Sequence, residues 1–103
     1  MTQYTLIMGL NDKDTKVQQI NTLEAYKIVS NLCTTYTDGA TIKEALGVYK
    51  HDDGTIITET SLQIDLMFIE REKVLEIAKT LKKLFNQESI VFQTQTLDES
   101  NLI

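Results

Sequence analysis

A chain of 103 residues, 42% hydrophobic and 24% charged, has the composition of one globular domain and is too short for two. Its net charge of −5 argues against broad nucleic-acid binding, which needs a concentrated basic surface. No run approaches the roughly 18 consecutive apolar residues of a membrane span, and the single cysteine rules out a disulfide framework.

The opening segment, MTQYTLIMGL, lacks the basic start of a secretory signal, so a cytoplasmic location is expected. From Gln3 to Leu10 the residues alternate, with Tyr4, Leu6, Met8 and Leu10 on one face, which predicts a strand. A polar loop follows to Gln19, with extended structure expected near Val17. Asn21 then caps a helix, with Glu24 three positions on and Ile20 placed to staple against Ala25. Ala25, Ile28, Val29, Leu32 and Tyr36 recur at helical spacing until Asp38-Gly39 turns the chain.

Thr41 to Ile69 reads as a long hairpin with its tip at Asp52-Asp53-Gly54. A three-residue loop with Gly54 left-handed sets Ile42 against Ile64 and Val48 against Thr58, which gathers the apolar residues on one face. That register leaves Glu44 facing Leu62, so a bulge near Gly47 is expected. Leu62, Ile64, Leu66 and Phe68 are assigned inward. A strand from Thr55 to Ile69 would extend about 50 Å at roughly 3.3 Å per residue, so the hairpin must bend or project as an arm. The second helix, Glu70 to Phe85, carries the apolar stripe Val74, Ile77, Ala78, Leu81, Leu84 and Phe85, with acids at its start and lysines at its end. Asn86 suits the left-handed position after a helix. Ser89 to Gln95 gives the last strand.

Two helices between four strands in this order predict a ferredoxin-like α+β fold, β-α-β-β-α-β. Right-handed crossovers give an antiparallel sheet of order 4-1-3-2 with both helices on one face. The expected domain is 1–95, followed by a polar C-terminal tail, 96–103. The uncovered sheet face would carry Ile7, Tyr49, Ile57, Met67 and Val91, more apolar than solvent requires, and this predicts a homo-oligomer.

No nucleophile elbow, phosphate loop or dinucleotide fingerprint occurs. Cys33 falls on an apolar helical face and His51 at a turn tip, so both receive structural roles. Lys79, Lys82 and Lys83 end a helix, where cations complement the dipole. No metal site and no cofactor is expected. The candidate ligand-binding residues are Tyr49, Glu59, Thr60, Gln87 and Glu88: an aromatic ring at the root of the hairpin beside carboxylate, hydroxyl and amide groups, lining a cleft where subunits meet.

The segment Gly39 to Ile90 resembles small ferredoxin-like proteins of unknown function from bacteria and their phages. The resemblance is carried by Gly47-Val48-Tyr49 before the hairpin tip, Glu59 to Leu62 after it, and the ending Asn86-Gln87-Glu88. The architecture is also similar to that of PII-like signalling proteins, which place a long loop between their second and third strands and bind nucleotides between subunits. The nucleotide-binding residues of that family are not recognisable here. The expected function is that of a non-catalytic, homo-oligomeric binding protein holding a small polar, nucleotide-like ligand or a protein partner. By analogy of size and fold, this would be a phage-type antagonist of bacterial defence. The alternatives are a cofactor-independent enzyme of the dimeric α+β barrel kind, and an acidic decoy for a basic protein groove.

Overall fold

The computed structural model describes all residues, Met1–Ile103. The element order is β1 (Thr2–Gly9), α1 (Thr22–Tyr36), β2 (Thr41–Lys50), β3 (Ile56–Leu66), α2 (Arg71–Leu84) and β4 (Val91–Thr96). The strands form one sheet of order β2-β3-β1-β4, antiparallel at every contact. Read from the other edge, this is the expected 4-1-3-2, and the fold is ferredoxin-like. No helix is long and apolar enough to cross a membrane.

Strand alternation decides the two faces. Leu6 and Met8 of β1 and Leu62, Ile64 and Leu66 of β3 turn to the helices. There they join Ala25, Val29 and Cys33 of α1 and Val74, Ile77 and Leu81 of α2 in one cluster. Each of these side chains is essentially fully buried. The start of α1 is fixed by Asn21, whose Oδ1 accepts the Glu24 N–H at 2.8 Å. Its end has no basic residue, and the Thr37 N–H bonds back to Cys33 O. The hairpin has the expected register, with Ile42 opposite Ile64 and Val48 opposite Thr58. Its tip closes through His51 N–H to Thr55 O at 2.9 Å, with Gly54 at φ 89°.

Four details differ from the sequence-based expectations. The β2–β3 ladder runs through Gly47 opposite Glu59 without a bulge, because Glu44 opposite Leu62 sits on an edge strand and stays exposed. The third strand ends at Leu66 rather than Ile69. Phe68 takes φ 56° and is 55% exposed, since a left-handed residue cannot continue the pleat. Leu84 is 53% exposed, as the buried stripe of α2 passes from Leu81 to Phe85.

The hairpin projects. Only Ser61–Leu66 of β3 pair with β1, and Leu10 N–H still reaches Thr60 O at 3.0 Å. Beyond that, Ile56–Glu59 pair with β2 alone, about 13 Å of two-stranded ribbon at roughly 3.3 Å per residue. At the far end of the chain, Leu97 N–H bonds Met1 O at 2.8 Å, while Leu102 and Ile103 lie exposed.

Candidate functional site

A cleft of about 370 Å³ opens where the root of the arm meets two loops. Its floor is the uncovered sheet face, from Ile7 and Gly9 of β1, Ser61 of β3 and Val91 at the start of β4. Tyr49 and His51 rise on the arm side. Asn11, Asp12, Lys13 and Lys16 come from the β1–α1 loop, and Gln87, Glu88 and Ser89 from the α2–β4 loop.

Glu59 is the best-positioned of these groups. Its carboxylate lies over the backbone of Gly9, where an added Cβ would meet Glu59 Cδ at 2.5 Å and Oε2 at 2.7 Å. On the other side Glu59 faces Gly47, which also has no side chain to displace it. The Asn11 N–H donates to Glu59 Oε2 at 3.0 Å. Two glycines clear the space and one backbone donor fixes the carboxylate, leaving its other oxygen to accept from a ligand.

The loops are held together by polar side chains. Gln87, almost fully buried, donates both amide hydrogens, to Asn11 O at 2.8 Å and to Phe85 O at 3.1 Å, so its carbonyl oxygen is the group it can offer. Asn86, at φ 47°, donates through Nδ2 to Asp12 Oδ2 at 3.0 Å and Asp14 Oδ2 at 2.8 Å. Asp12 Oδ1 accepts from the Thr15 and Asp14 N–H groups. These bonds, that of Thr15 first, hold the Asp12 carboxyl below its ordinary value. Lys16, in the left-handed conformation, donates Nζ to Lys13 O at 2.6 Å. Tyr49 and His51 pack edge to face, ring centres 5.4 Å apart, with Tyr49 part-exposed to the opening. No three histidine, cysteine, aspartate or glutamate side chains are grouped as a metal site requires.

Of the residues expected from sequence, Tyr49, Glu59, Gln87 and Glu88 meet in this cleft. Thr60 does not. It neighbours Glu59 on a strand, so its side chain takes the opposite face, and only its carbonyl is engaged, by Leu10. All of the residues described above come from one chain. His51, given a turn role from sequence, lines it as well. Asn11, Asp12, Lys13 and Lys16 were not expected, although the clustering of charge at 12–16 was visible.

Fold and site together define a ferredoxin-like fold with a polar, one-sided cleft at the root of a hairpin arm. Residues 3–100 match the model of DUF3574, and the chain belongs to this family of proteins of unknown function. No functionally curated protein matches it. Among solved structures it is similar to a phage SAM lyase in complex with S-methyl-5′-thioadenosine, 26% identical, with a TM-score of 0.67 over 91% of this chain and 79% of that one. The apo state of a phage SAM lyase gives 23% identity and a TM-score of 0.71 over 91% and 78%. CutA from Pyrococcus horikoshii is 16% identical with a TM-score of 0.61 over 98% and 88%, a likeness of fold alone.

Proposed function

We propose that the cleft binds S-adenosylmethionine (SAM) and cleaves it to S-methyl-5′-thioadenosine, as the name of the phage lyase suggests. The observation that carries this reading is the pairing of an open tyrosine face with a pinned carboxylate in one cleft. It is supported by a fold shared at 26% identity with a protein that holds the thioadenosine product. A volume of about 370 Å³ lies at the lower end of the roughly 300–1,000 Å³ of small-molecule pockets. An adenine ring stacks on Tyr49, and ribose hydroxyls donate to Glu59. The zwitterionic amino-acid end of SAM meets a lining of both signs, Lys13 and Lys16 for its carboxylate and Glu88 for its ammonium.

Cleavage breaks the bond between sulfur and the methylene of the amino-acid chain and leaves the electron pair on sulfur, which becomes a neutral thioether. A lyase uses no water, so the remaining fragment is completed in one of two ways. Its own carboxylate oxygen bonds to that methylene and closes a lactone, or the adjacent carbon loses a proton to a cleft base and a double bond forms. Because the sulfonium charge disappears, a carboxylate held against sulfur would favour intact substrate over the transition state. Glu59 and Glu88 are therefore assigned to hydroxyl and ammonium groups, which keep their character throughout.

The test is incubation of purified protein with SAM, followed by mass spectrometry of both products. Formation of S-methyl-5′-thioadenosine above the spontaneous rate, lost in Tyr49→Ala and Glu59→Ala, is expected. Saturable binding without turnover would instead restore the non-catalytic binding protein expected from sequence, and neither binding nor turnover would end the reading. The homo-oligomer belongs to the same proposal. Leu46, Val48 and Ile56 are exposed on the arm, where no element of the same chain covers them. Sedimentation as a single monomeric species at micromolar concentration would remove it.

A further inference from the structure

Beside the cleft, sharing Lys13 and Gln87 with it, lies a second recess of about 260 Å³. No hydrophobic residue lines it. Lys79, Lys82 and Lys83 face it from α2, Lys13 from the β1–α1 loop, and Asn86 completes it. The chain has 10 basic residues against 15 acidic ones, so the gathering of four lysines in one recess runs against its overall balance.

The ordinary account of lysines at a helix end is that they neutralise the last carbonyls. Here the backbone already satisfies two of those carbonyls. The Gln87 N–H bonds Lys82 O at 2.9 Å and the Asn86 N–H bonds Lys83 O at 3.3 Å, with Asn86 left-handed, which is the arrangement of a Schellman cap. Lys79 and Lys83 stand four residues apart, a spacing at which like charges disfavour a helix. The only ion pair in the chain is Lys79 Nζ to Glu76 Oε1 at 3.8 Å, exposed on both sides, so Lys13, Lys82 and Lys83 have no acidic partner. Asp12 and Asp14, on the adjoining loop, both accept from Asn86 Nδ2.

We infer that this recess binds a small multivalent phosphate anion, a di- or triphosphate chain, free or carried by a nucleotide. Lysine binds phosphate as a point charge, and four lysines lining so small a recess, three of them without an acidic partner, suit several negative charges close together. A recess on a protein of net charge −5 suits a small anion rather than a nucleic-acid strand, which needs a basic track.

Isothermal titration with inorganic tripolyphosphate at fixed ionic strength tests this without any nucleoside or sulfonium present, so its outcome is independent of the lyase proposal. Saturable one-to-one binding is expected, at least about tenfold weaker in K82Q/K83Q and weaker still as salt is raised. The remote pair K27Q/K50Q should bind as wild type, with melting curves showing that both variants fold. A parallel titration with ATP should give the same lysine dependence. Absence of saturable binding, equal losses in the two double variants, or binding of ATP without binding of tripolyphosphate would each overturn the assignment.

Discussion

Gly9→Ala tests whether the Glu59 carboxylate is held in place by the absence of a side chain beneath it. The new Cβ would stand 2.5 Å from Glu59 Cδ and 2.7 Å from Oε2, inside the 3.0 Å that real Cβ atoms respect. The clash is with the end of a flexible side chain, so the carboxylate swings away and the strand stays. What is lost is the bond from Asn11 N–H to Oε2. Hydrogen bonds to charged groups contribute about 1.5–3 kcal/mol. If the ligand needs the fixed carboxylate, affinity for S-methyl-5′-thioadenosine should fall about 10- to 100-fold. Stability should change little. Alanine in place of glycine in a strand recovers about 0.5–1 kcal/mol, and the half-buried Asn11 N–H can turn to water. Calorimetric titration of Gly9→Ala, Glu59→Ala and the double variant reads the coupling. In the Glu59→Ala background the glycine substitution should have no further effect. Wild-type affinity in Gly9→Ala, or an equal loss in both backgrounds, would refute the cradle.

Leu81→Ala should cost about 2–5 kcal/mol in urea unfolding, and Leu84→Ala within about 0.5 kcal/mol, since only Leu81 is buried. Equal losses would mean the buried face of α2 is misassigned. The Asp12 carboxyl is held below its ordinary value of 3.8, so its stabilising contribution is complete above that value and lost as pH falls through the lower folded value. Asp12→Asn should therefore flatten the acid side of a melting-temperature profile, and an unchanged profile would contradict the loop bonding. Burial pushes the Cys33 thiol up to about 11, so a thiol reagent at neutral pH should label it only as fast as the protein unfolds. Rapid labelling of the native state would count against its buried position.

The fold was legible because local signals and global pattern agree. Asn21 with Glu24 marks the start of α1, the stripe Val74, Ile77 and Leu81 marks α2, and alternation through Leu62, Ile64 and Leu66 fixes which face of β3 is buried. The hairpin register followed from one requirement, that apolar residues share a face, together with a left-handed Gly54. Errors fell where a pattern was carried past the point at which geometry stops it. Phe68 continues the alternation of β3 in sequence, but the strand has already turned at φ 56°. Leu84 fits the stripe by spacing, but it lies at the end of α2, where Phe85 takes the buried place.

The site was legible on the sheet and just after α2. Tyr49 and Glu59 could be placed because the register sets strand residues relative to one another, and Gln87 and Glu88 stood out as polar residues that no cap required. The β1–α1 loop was not placed, because no periodicity relates Asp12 or Lys16 to a strand. Its position depends on long-range polar links, among them Lys13 N–H to Asn86 O at 3.0 Å and Gln87 Nε2 to Asn11 O at 2.8 Å. The same links explain the choice of residues after α2. Asn86 takes the left-handed cap and spends its amide on Asp12 and Asp14, and Gln87 closes the cap and spends its amide on Asn11 and Phe85. Capping the helix and docking the loop are therefore one structural event. Its consequence is that the Asn11 N–H reaches Glu59, so the pinned carboxylate at the centre of the cleft depends on the end of a helix on the other side of the sheet.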